Sequence, residues 1–188
     1  MIRDLIKKTR SYRRFNEDVK ITKTTLKKLV ELARFSPSAA NKQPLKYILI
    51  CEQEKTENIF PYLSWAGYLK DWEKPEKGER PTGYIIMLND SQISKNSNTD
   101  AGIAAQSILL GASEKGLGGC IFGAIDRKGI RKELQIEERF DILYVIALGE
   151  PVEEVQIETA DSDIKYWRDE SGIHHVPKRP LSELILDK

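Results

Sequence analysis

Residues 36–44, SPSAANKQP, mark the first clear boundary in the chain. Pro37 cannot continue a helix, because it lacks a backbone N–H and its ring clashes with the preceding turn. The helical pattern before it therefore ends here; its apolar positions are Leu26, Leu29, Val30, Leu32 and Ala33. The stretch itself contains hydroxyl groups, amides and small residues but no acid. It offers neutral hydrogen-bonding atoms to a ligand, with room for a flat ring to approach.

A second informative segment lies upstream, at residues 9–15, TRSYRRF, which contain three arginines and no acid. Arginine binds phosphate well because its guanidinium presents several N–H donors in a fixed plane. A ligand that needs both a neutral surface for a ring and cations for a phosphate is flavin mononucleotide (FMN). For the basic segment alone, a solvated surface face is the alternative.

Four motifs follow one another in a specific order: Arg10-Ser11-x-Arg13-x-Phe15, Ser36-Pro37-Ser38, Asn41-x-Gln43-Pro44 and Gly116-Leu117-Gly118. Together they resemble the FMN-dependent nitroreductase family, and the similarity extends over nearly the whole chain. The resemblance implies an α+β layered fold in which helices flank a central mixed sheet. It also implies that residues 1–188 form a single FMN-binding domain and that two chains form an intertwined homodimer.

The resemblance further implies a set of cofactor-binding residues. Arg10 and Ser11 would meet the ribityl phosphate or its sugar chain, and Arg13 would approach the pyrimidine edge of the ring and stabilise charge there. The loop after Pro37 would lie against the flavin of the partner subunit. The predicted set is Arg10, Ser11, Arg13, Ser36, Pro37, Ser38, Ala39, Asn41, Ile121, Phe122, Gly123, Lys178 and Arg179.

Within this set, residues 121–123 would offer backbone groups to the ring, and Lys178 and Arg179 would return to the phosphate. The chain departs from the family pattern at two positions. Thr9 stands where family members often have a second basic residue, and Leu45 stands where a large aromatic residue is usual. The first departure affects a phosphate contact and the second affects packing under the loop.

The implied chemistry is that of an FMN-dependent oxidoreductase. NADH or NADPH would reduce the flavin, and a nitroaromatic, a quinone or a related small molecule would reoxidise it in a ping-pong mechanism. No side-chain nucleophile, base or metal is needed. A non-catalytic flavin-binding redox sensor or carrier is the alternative, since the same residues would bind the cofactor. The acceptor and the choice between NADH and NADPH stay open.

Composition limits the class of protein. The chain has 188 residues, of which 40% are hydrophobic and 31% charged, as in a globular domain. Its 30 basic residues nearly balance its 29 acidic ones, which argues against a nucleic-acid arm at 7–14 and against binding to a membrane surface. Cys51 and Cys120 lie in apolar runs and are expected to be reduced, buried thiols, with a disulfide as the alternative. With no signal-peptide pattern or spanning segment, the protein is expected to be cytoplasmic.

Hydrophobic periodicity predicts the main elements. One helix is expected over 2–9, and a second is expected to begin after Thr22, which would be its N-cap. A third is expected over 100–115, where apolar residues on all sides indicate either a core helix or a subunit interface. Runs at 47–51, 84–88 and 142–148 indicate central strands buried on both faces, and 164–167 a further strand. His174 and His175 are expected in a surface turn.

The segment 60–81 mixes aromatic residues with many charges. It is interpreted either as a surface loop whose aromatic side chains fold back on the core or as a lid over the active site. As a lid, it would offer Trp65, Tyr68 and Trp72 to a planar substrate.

Overall fold

The structure, a computed structural model, describes residues 1–186 and combines helices and strands as an α+β fold does. Its helices are α1 (Ile2–Lys8), α2 (Lys23–Arg34), α3 (Gln53–Ile59), α4 (Asn98–Glu114), α5 (Arg127–Leu134) and α6 (Leu181–Leu184). Its strands are β1 (Phe15–Asn16), β2 (Leu45–Ile50), β3 (Gly83–Asp90), β4 (Gly118–Phe122), β5 (Phe140–Pro151), β6 (Val155–Thr159), β7 (Trp167–Arg168) and β8 (His174–Lys178). Short 3₁₀ turns occur at Ala39–Asn41 and Phe60–Tyr62.

A five-stranded sheet forms the centre of the molecule, and β5 organises it. Strand β5 pairs with β1, β3 and β4, and β2 pairs with β3. These pairings are all antiparallel. Within residues 1–186, the parallel part of the predicted mixed sheet is a single bridge between Ser11 and Gly119. A second small sheet joins β6, β8 and β7, with β6 parallel to β8.

Two apolar layers, one on each face of the central sheet, form the core. On one face, Ile86 and Val145 pack in a cluster with residues of α3 and α5. On the other face, Ile85 and Ile146 pack in a cluster with residues of α2 and α4. Neighbouring strand residues join different layers because successive side chains point to opposite faces. Burial on both faces is thus confirmed for 84–88 and for 145–148, whereas Leu143 and Tyr144 in the predicted run 142–148 are only half-buried.

Strand β2 lies at the edge of the sheet, so the prediction of a central strand at 47–51 is wrong. In the described part of the chain, β2 pairs with β3 alone, and Tyr47, Ile48 and Leu49 are only half-buried. The strand also begins earlier than predicted, at Leu45. An apolar run indicates a strand but not its place in the sheet, which depends on distant pairing partners.

Helix α4 packs along α2, and a glycine permits their close approach. A Cβ added to Gly111 would lie 2.2 Å from Leu32 Cδ1. One face of α4 is therefore buried in the core of its own chain. The other face is open: Ile103 is 39% exposed and lines an apolar groove with residues of α1 and α2. The subunit-interface interpretation of this helix stays a prediction.

Two local predictions about helix ends and cysteines are confirmed. The Thr22 hydroxyl caps α2 by accepting the Thr25 N–H at 3.1 Å. Cys51 and Cys120 are both free thiols; Cys120 is buried as expected, whereas Cys51 is only half-buried. Of the helices within residues 1–186, none has the length and apolar character required to span a bilayer.

The C-terminal segment differs from the prediction. A strand was expected at 164–167, but the observed strand β7 is shorter and lies later, at Trp167–Arg168. A surface turn was expected at His174 and His175, but both residues lie in strand β8. His174 is 1% exposed. The turn prediction is wrong because β8 is stabilised by pairing with β6. Since β6 lies about twenty residues earlier, the sequence around His174 does not reveal this pairing.

Candidate functional site

The basic segment runs along the free edge of β4. Ser11 forms a parallel bridge with Gly119, and the Tyr12 N–H donates to the Gly119 carbonyl at 3.1 Å. Gly118 permits this approach, because a Cβ there would lie 2.5 Å from Tyr12 Cδ2. The structure therefore brings Arg10, Ser11 and Arg13 beside the strand that ends in Ile121 and Phe122 and leads to Gly123.

This end of β4 is accessible to a ligand. Ile121 is 40% exposed and Gly123 is exposed, whereas Phe122 is buried in the core. The nearest atom to a Cβ added at Gly123 would be Tyr144 Cε1 at 3.7 Å. The backbone of Gly123 is therefore open to an incoming group.

Arg10 is partly buried, and none of the described residues serves as its counter-ion. Its Nη2 donates to the Ile6 carbonyl at 2.9 Å, and in the described part of the chain its buried Nε has no hydrogen-bond partner. No carboxylate in residues 1–186 lies within salt-bridge distance of it. Loss of water lowers the pKa of Arg10 from its usual range. A bound anion would supply the missing partner.

Thr9 does not replace the basic residue that the family pattern would have there. Its hydroxyl donates to the Leu5 carbonyl at 2.8 Å, and the residue is 8% exposed. The side chain thus stabilises the end of α1. This departure from the pattern leaves Arg10 as the first cation of the basic segment 9–15.

Arg13 is held by the C-terminal segment. Its Nη1 lies 3.1 Å from His174 Nε2, and its guanidinium lies 4.7 Å from the centre of the Tyr166 ring. Burial, and then the charges of Arg13 and Arg168, lower the pKa of His174 to about 4. His174 is therefore neutral and accepts a hydrogen bond from Arg13. Sequence reasoning missed His174, although strand alternation would place one residue of an adjacent pair inside.

A buried acid anchors the same segment. The Glu153 carboxylate accepts the backbone N–H groups of Arg13 and Arg14 and pairs with Arg168 at 2.8 Å. Its side chain is 1% exposed. Two backbone donors and one guanidinium compensate its buried charge, so Glu153 fixes the backbone that carries Arg13.

The loop 36–44 forms a separate group near the start of α4. The Ser36 hydroxyl lies 2.8 Å from that of Ser107, and the Ser38 hydroxyl donates to Asp100 at 2.5 Å. Pro37, Ala39 and Asn41 are exposed. A pocket of about 320 Å³ opens here, lined by polar groups of the loop and by apolar residues of α2 and β2. Burial, and then the charge of Asp100, raise the pKa of Tyr47 in this pocket to about 12, so its hydroxyl stays protonated.

Within one chain, the loop and the basic segment lie apart. Ser38 meets Asp100 in the first turn of α4, whereas Gly119 lies against Leu109. Asp100 and Leu109 are nine positions apart in α4, which corresponds to about 14 Å along the helix axis. The loop and the basic segment therefore contact different turns of α4.

Lys178 and Arg179 lie at a third location, apart from the basic segment and the loop 36–44. Lys178 ends β8, four residues after His174, which is about 13 Å along the strand. Arg179 is paired with Glu183 at 2.9 Å. The structure places Lys178 and Arg179 on the exposed surface.

The aromatic residues of 60–81 have different environments. Trp65 is 9% exposed, and its ring centre lies 4.6 Å from that of Phe122. Trp72 is half-buried between Trp65 and Arg168. Tyr68 is 51% exposed and lies 4.9 Å from the Tyr166 ring. Two of the three aromatic residues thus fold back on the core, and Tyr68 alone of the three stays free to meet a substrate.

Comparison with known proteins agrees with this architecture. Residues 6–150 match the family model described as Nitroreductase family. A relative from Methanothermobacter thermautotrophicus, with the provisional name NADH dehydrogenase/NAD(P)H nitroreductase, is 31% identical over 157 residues, covering 80% of this chain and 77% of the relative.

Two solved structures are similar over most of their length. A nitroreductase family protein from Streptococcus pneumoniae has a TM-score of 0.72 at 18% identity, with 100% of both chains covered. An FMN-dependent nitroreductase from Clostridium difficile has a TM-score of 0.65 at 26% identity, covering 87% of this chain and 92% of that chain. The chain therefore has the nitroreductase fold and belongs to the nitroreductase family of oxidoreductases.

Proposed function

We propose that this protein is an FMN-dependent oxidoreductase that uses NADH or NADPH to reduce small-molecule acceptors, such as nitroaromatics or quinones, by a ping-pong mechanism. The observation that carries the proposal is Arg10, a partly buried cation whose Nε has no partner among residues 1–186. The name of the C. difficile structure supports FMN, and that of the M. thermautotrophicus relative supports NADH or NADPH.

The residues present fit such a cofactor. Arg10 and Ser11 would hold the phosphate end, and the exposed backbone at Gly123 would accept or donate hydrogen bonds to the ring. Exposed Lys178 and Arg179 would add positive charge after Arg179 exchanges its contact with Glu183 for the phosphate.

When bound, FMN supplies the chemistry of accepting a hydride and passing electrons to an acceptor. Arg13 would stabilise negative charge on the pyrimidine side of the ring, since its guanidinium is already oriented by His174. Neutral His174 adds no positive charge and leaves this role to Arg13. No nucleophilic side chain takes part.

We further propose that two copies of the single domain form a homodimer with two equivalent sites. The separation of the loop 36–44 from the basic segment supports this arrangement, because a second copy would supply the loop. An open apolar groove supports it too: Phe35 is 67% exposed there, and the groove also contains Ile2, Leu5, Leu32, Ile103 and Leu110.

The test is FMN titration of the protein and two charge-reversal variants. Arg10→Glu places an anion where the phosphate would bind and should weaken FMN binding at least about 100-fold, about 2.7 kcal/mol. Lys70→Glu, in the segment 60–81, is the matched control and should change the FMN affinity little. Equal losses in both variants would reject the assignment of Arg10.

Turnover is tested separately by mixing the FMN-loaded protein with NADH or NADPH in a stopped-flow instrument. Bleaching of the flavin absorbance, and its return on adding a quinone or nitroaromatic, is the expected result. Flavin that neither nucleotide reduces would contradict the enzymatic role and favour a redox sensor or carrier.

A further inference from the structure

Asp100 binds the loop 36–44 with both of its carboxylate oxygens. Oδ2 accepts the Ser38 hydroxyl at 2.5 Å, and Oδ1 accepts the Ala39 N–H at 3.2 Å. Asp100 is 6% exposed and lies in the first turn of α4, where the helix dipole favours a negative charge. Asp100 is outside the motifs of the sequence analysis, and its link to the loop is visible only in three dimensions.

The contact is relayed across the loop by Ser38. Since the Ser38 hydroxyl donates its proton to Asp100, its lone pairs are free to accept the Gln43 N–H, at 2.9 Å. The Gln43 side chain in turn donates to the Asn41 carbonyl at 3.1 Å and to Asn41 Oδ1 at 3.0 Å. One carboxylate therefore fixes both ends of the turn.

The loop needs such an anchor because its backbone is strained. Ala40, Asn41 and Gln43 have φ values of 49°, 53° and 52°, in the left-handed region that residues with a Cβ disfavour. Each such residue costs about 1 kcal/mol relative to ordinary backbone. Strained conformations persist only where surrounding contacts enforce them, and here the enforcing contacts lead to Asp100.

We infer that Asp100 is a positioning residue for the cofactor: it holds the loop in the conformation that meets FMN, although its own oxygens are directed at the loop. This inference rests on the proposed function, because only the FMN site gives the loop a ligand. It adds to that function a dependence of FMN affinity on a carboxylate that does not contact FMN.

Asp100→Asn tests the inference with little change in volume. A carboxamide has one acceptor oxygen, so its NH₂ group must face either the Ser38 hydroxyl or the Ala39 N–H. If it faces Ser38, the hydroxyl loses the acceptor of its proton, must turn to accept from the carboxamide, and no longer holds the Gln43 N–H in its present geometry. The exchange of the Ala39 and Gln43 amides, measured by NMR without FMN, should become at least about tenfold faster, while β3 amides keep their protection.

The second readout is FMN affinity, followed by flavin fluorescence. Asp100→Asn should weaken it about tenfold, which is about 1.4 kcal/mol, and shift the visible absorption bands of the bound flavin. Asp126→Asn is the matched control, because Asp126 also accepts a backbone N–H, that of Gly129 at 3.0 Å, but at the start of α5. It should leave FMN affinity and loop exchange unchanged.

A double-mutant cycle distinguishes positioning from general destabilisation. If Asp100 acts through Ser38, then Ser38→Ala and Asp100→Asn together should weaken FMN binding less than the sum of the single effects. Additive effects would contradict the inference. If Asp100→Asn does not fold, Asp100→Ser is the second variant, with the same expected losses.

The outcomes separate this inference from the proposed function. Wild-type protein that binds no FMN would remove the proposed function and the inference that rests on it, even if Asp100→Asn still loosened the loop. Wild-type protein that binds FMN, with an Asp100→Asn variant unchanged in amide exchange and affinity, would overturn the inference alone.

Discussion

Arg13 Nη1 lies 3.1 Å from His174 Nε2, although 161 residues separate the two in sequence. The contact joins the N-terminal basic segment to the C-terminal small sheet, and it requires a neutral imidazole because arginine only donates. The proposed charge stabiliser is therefore oriented by a strand that local sequence signals do not predict.

The neutral state of His174 has a consequence for stability. The pKa of His174 is lowered to about 4 by burial and by Arg13, whereas an unfolded histidine titrates near its ordinary value of about 6.5. Between these values the unfolded chain takes up a proton that the folded chain does not, so stability should fall as the pH drops from about 6.5 to about 4. Urea unfolding of the wild type and of His174→Asn should show that the free energy of unfolding falls less in the variant over this pH range. Identical losses would contradict the burial of a neutral imidazole.

The adjacent His175 should behave in the opposite way. Its ring lies between Asp169, at 3.1 Å, and Glu158, at 2.8 Å, and these carboxylates raise its pKa above the ordinary value. Its contribution is complete below about pH 6.5 and is lost as the pH rises through the raised pKa. His175→Gln should therefore destabilise the protein more at pH 6 than at pH 9. An equal effect at both pH values would show that the ion pairs add nothing.

Gly118 should be intolerant of substitution. A Cβ there would lie 2.5 Å from Tyr12 Cδ2 and 2.6 Å from Pro151 Cγ. Gly118→Ala should lower the free energy of unfolding by about 1–3 kcal/mol and weaken FMN binding by displacing the basic segment. Gly67→Ala is the control, because nothing lies within 4 Å of a Cβ added there. Equal stability of the two variants by chemical denaturation would refute the close approach of Tyr12 to β4.

Trp65 and Tyr68 should separate structural from substrate-binding roles. Trp65→Ala removes a buried ring packed on Phe122 and should destabilise the protein by about 3–5 kcal/mol.

Tyr68→Ala, at a 51% exposed residue, should change stability by less than about 0.5 kcal/mol. Steady-state kinetics of Tyr68→Ala should show a raised KM for a quinone acceptor. An unchanged KM would indicate that the 60–81 segment is a surface loop only.

Phe35 tests the proposed subunit contact. Phe35→Glu places a charge in the apolar groove and should shift the protein from dimer towards the 21.5 kDa monomer in light scattering, with loss of FMN. Ile93→Glu, at another exposed apolar residue, is the control and should stay dimeric. A Phe35→Glu variant that remains a dimer would place the interface elsewhere.

The sequence predicts those features that depend on local patterns. Helix α1, the Thr22 cap and the buried strand β3 follow from periodicity and capping chemistry, which act within a few residues. The resemblance to a family adds the fold class, because the order of motifs along the chain reflects a shared topology.

Features that depend on distant contacts were not predictable in the same way. The edge position of β2 depends on which strands pair, and the burial of His174 depends on β6. The role of Asp100 depends on Ser38, 62 residues away. Each of these residues has an ordinary local sequence, and its environment arises only when the chain folds.

The most direct test of the central claim is the flavin content of the purified protein. The protein should be yellow, or become yellow on incubation with FMN, and heat denaturation should release about one FMN per chain, as expected for two equivalent sites per dimer that each contain one Arg10. Colourless protein that takes up no FMN, while circular dichroism shows it to be folded, would contradict the account.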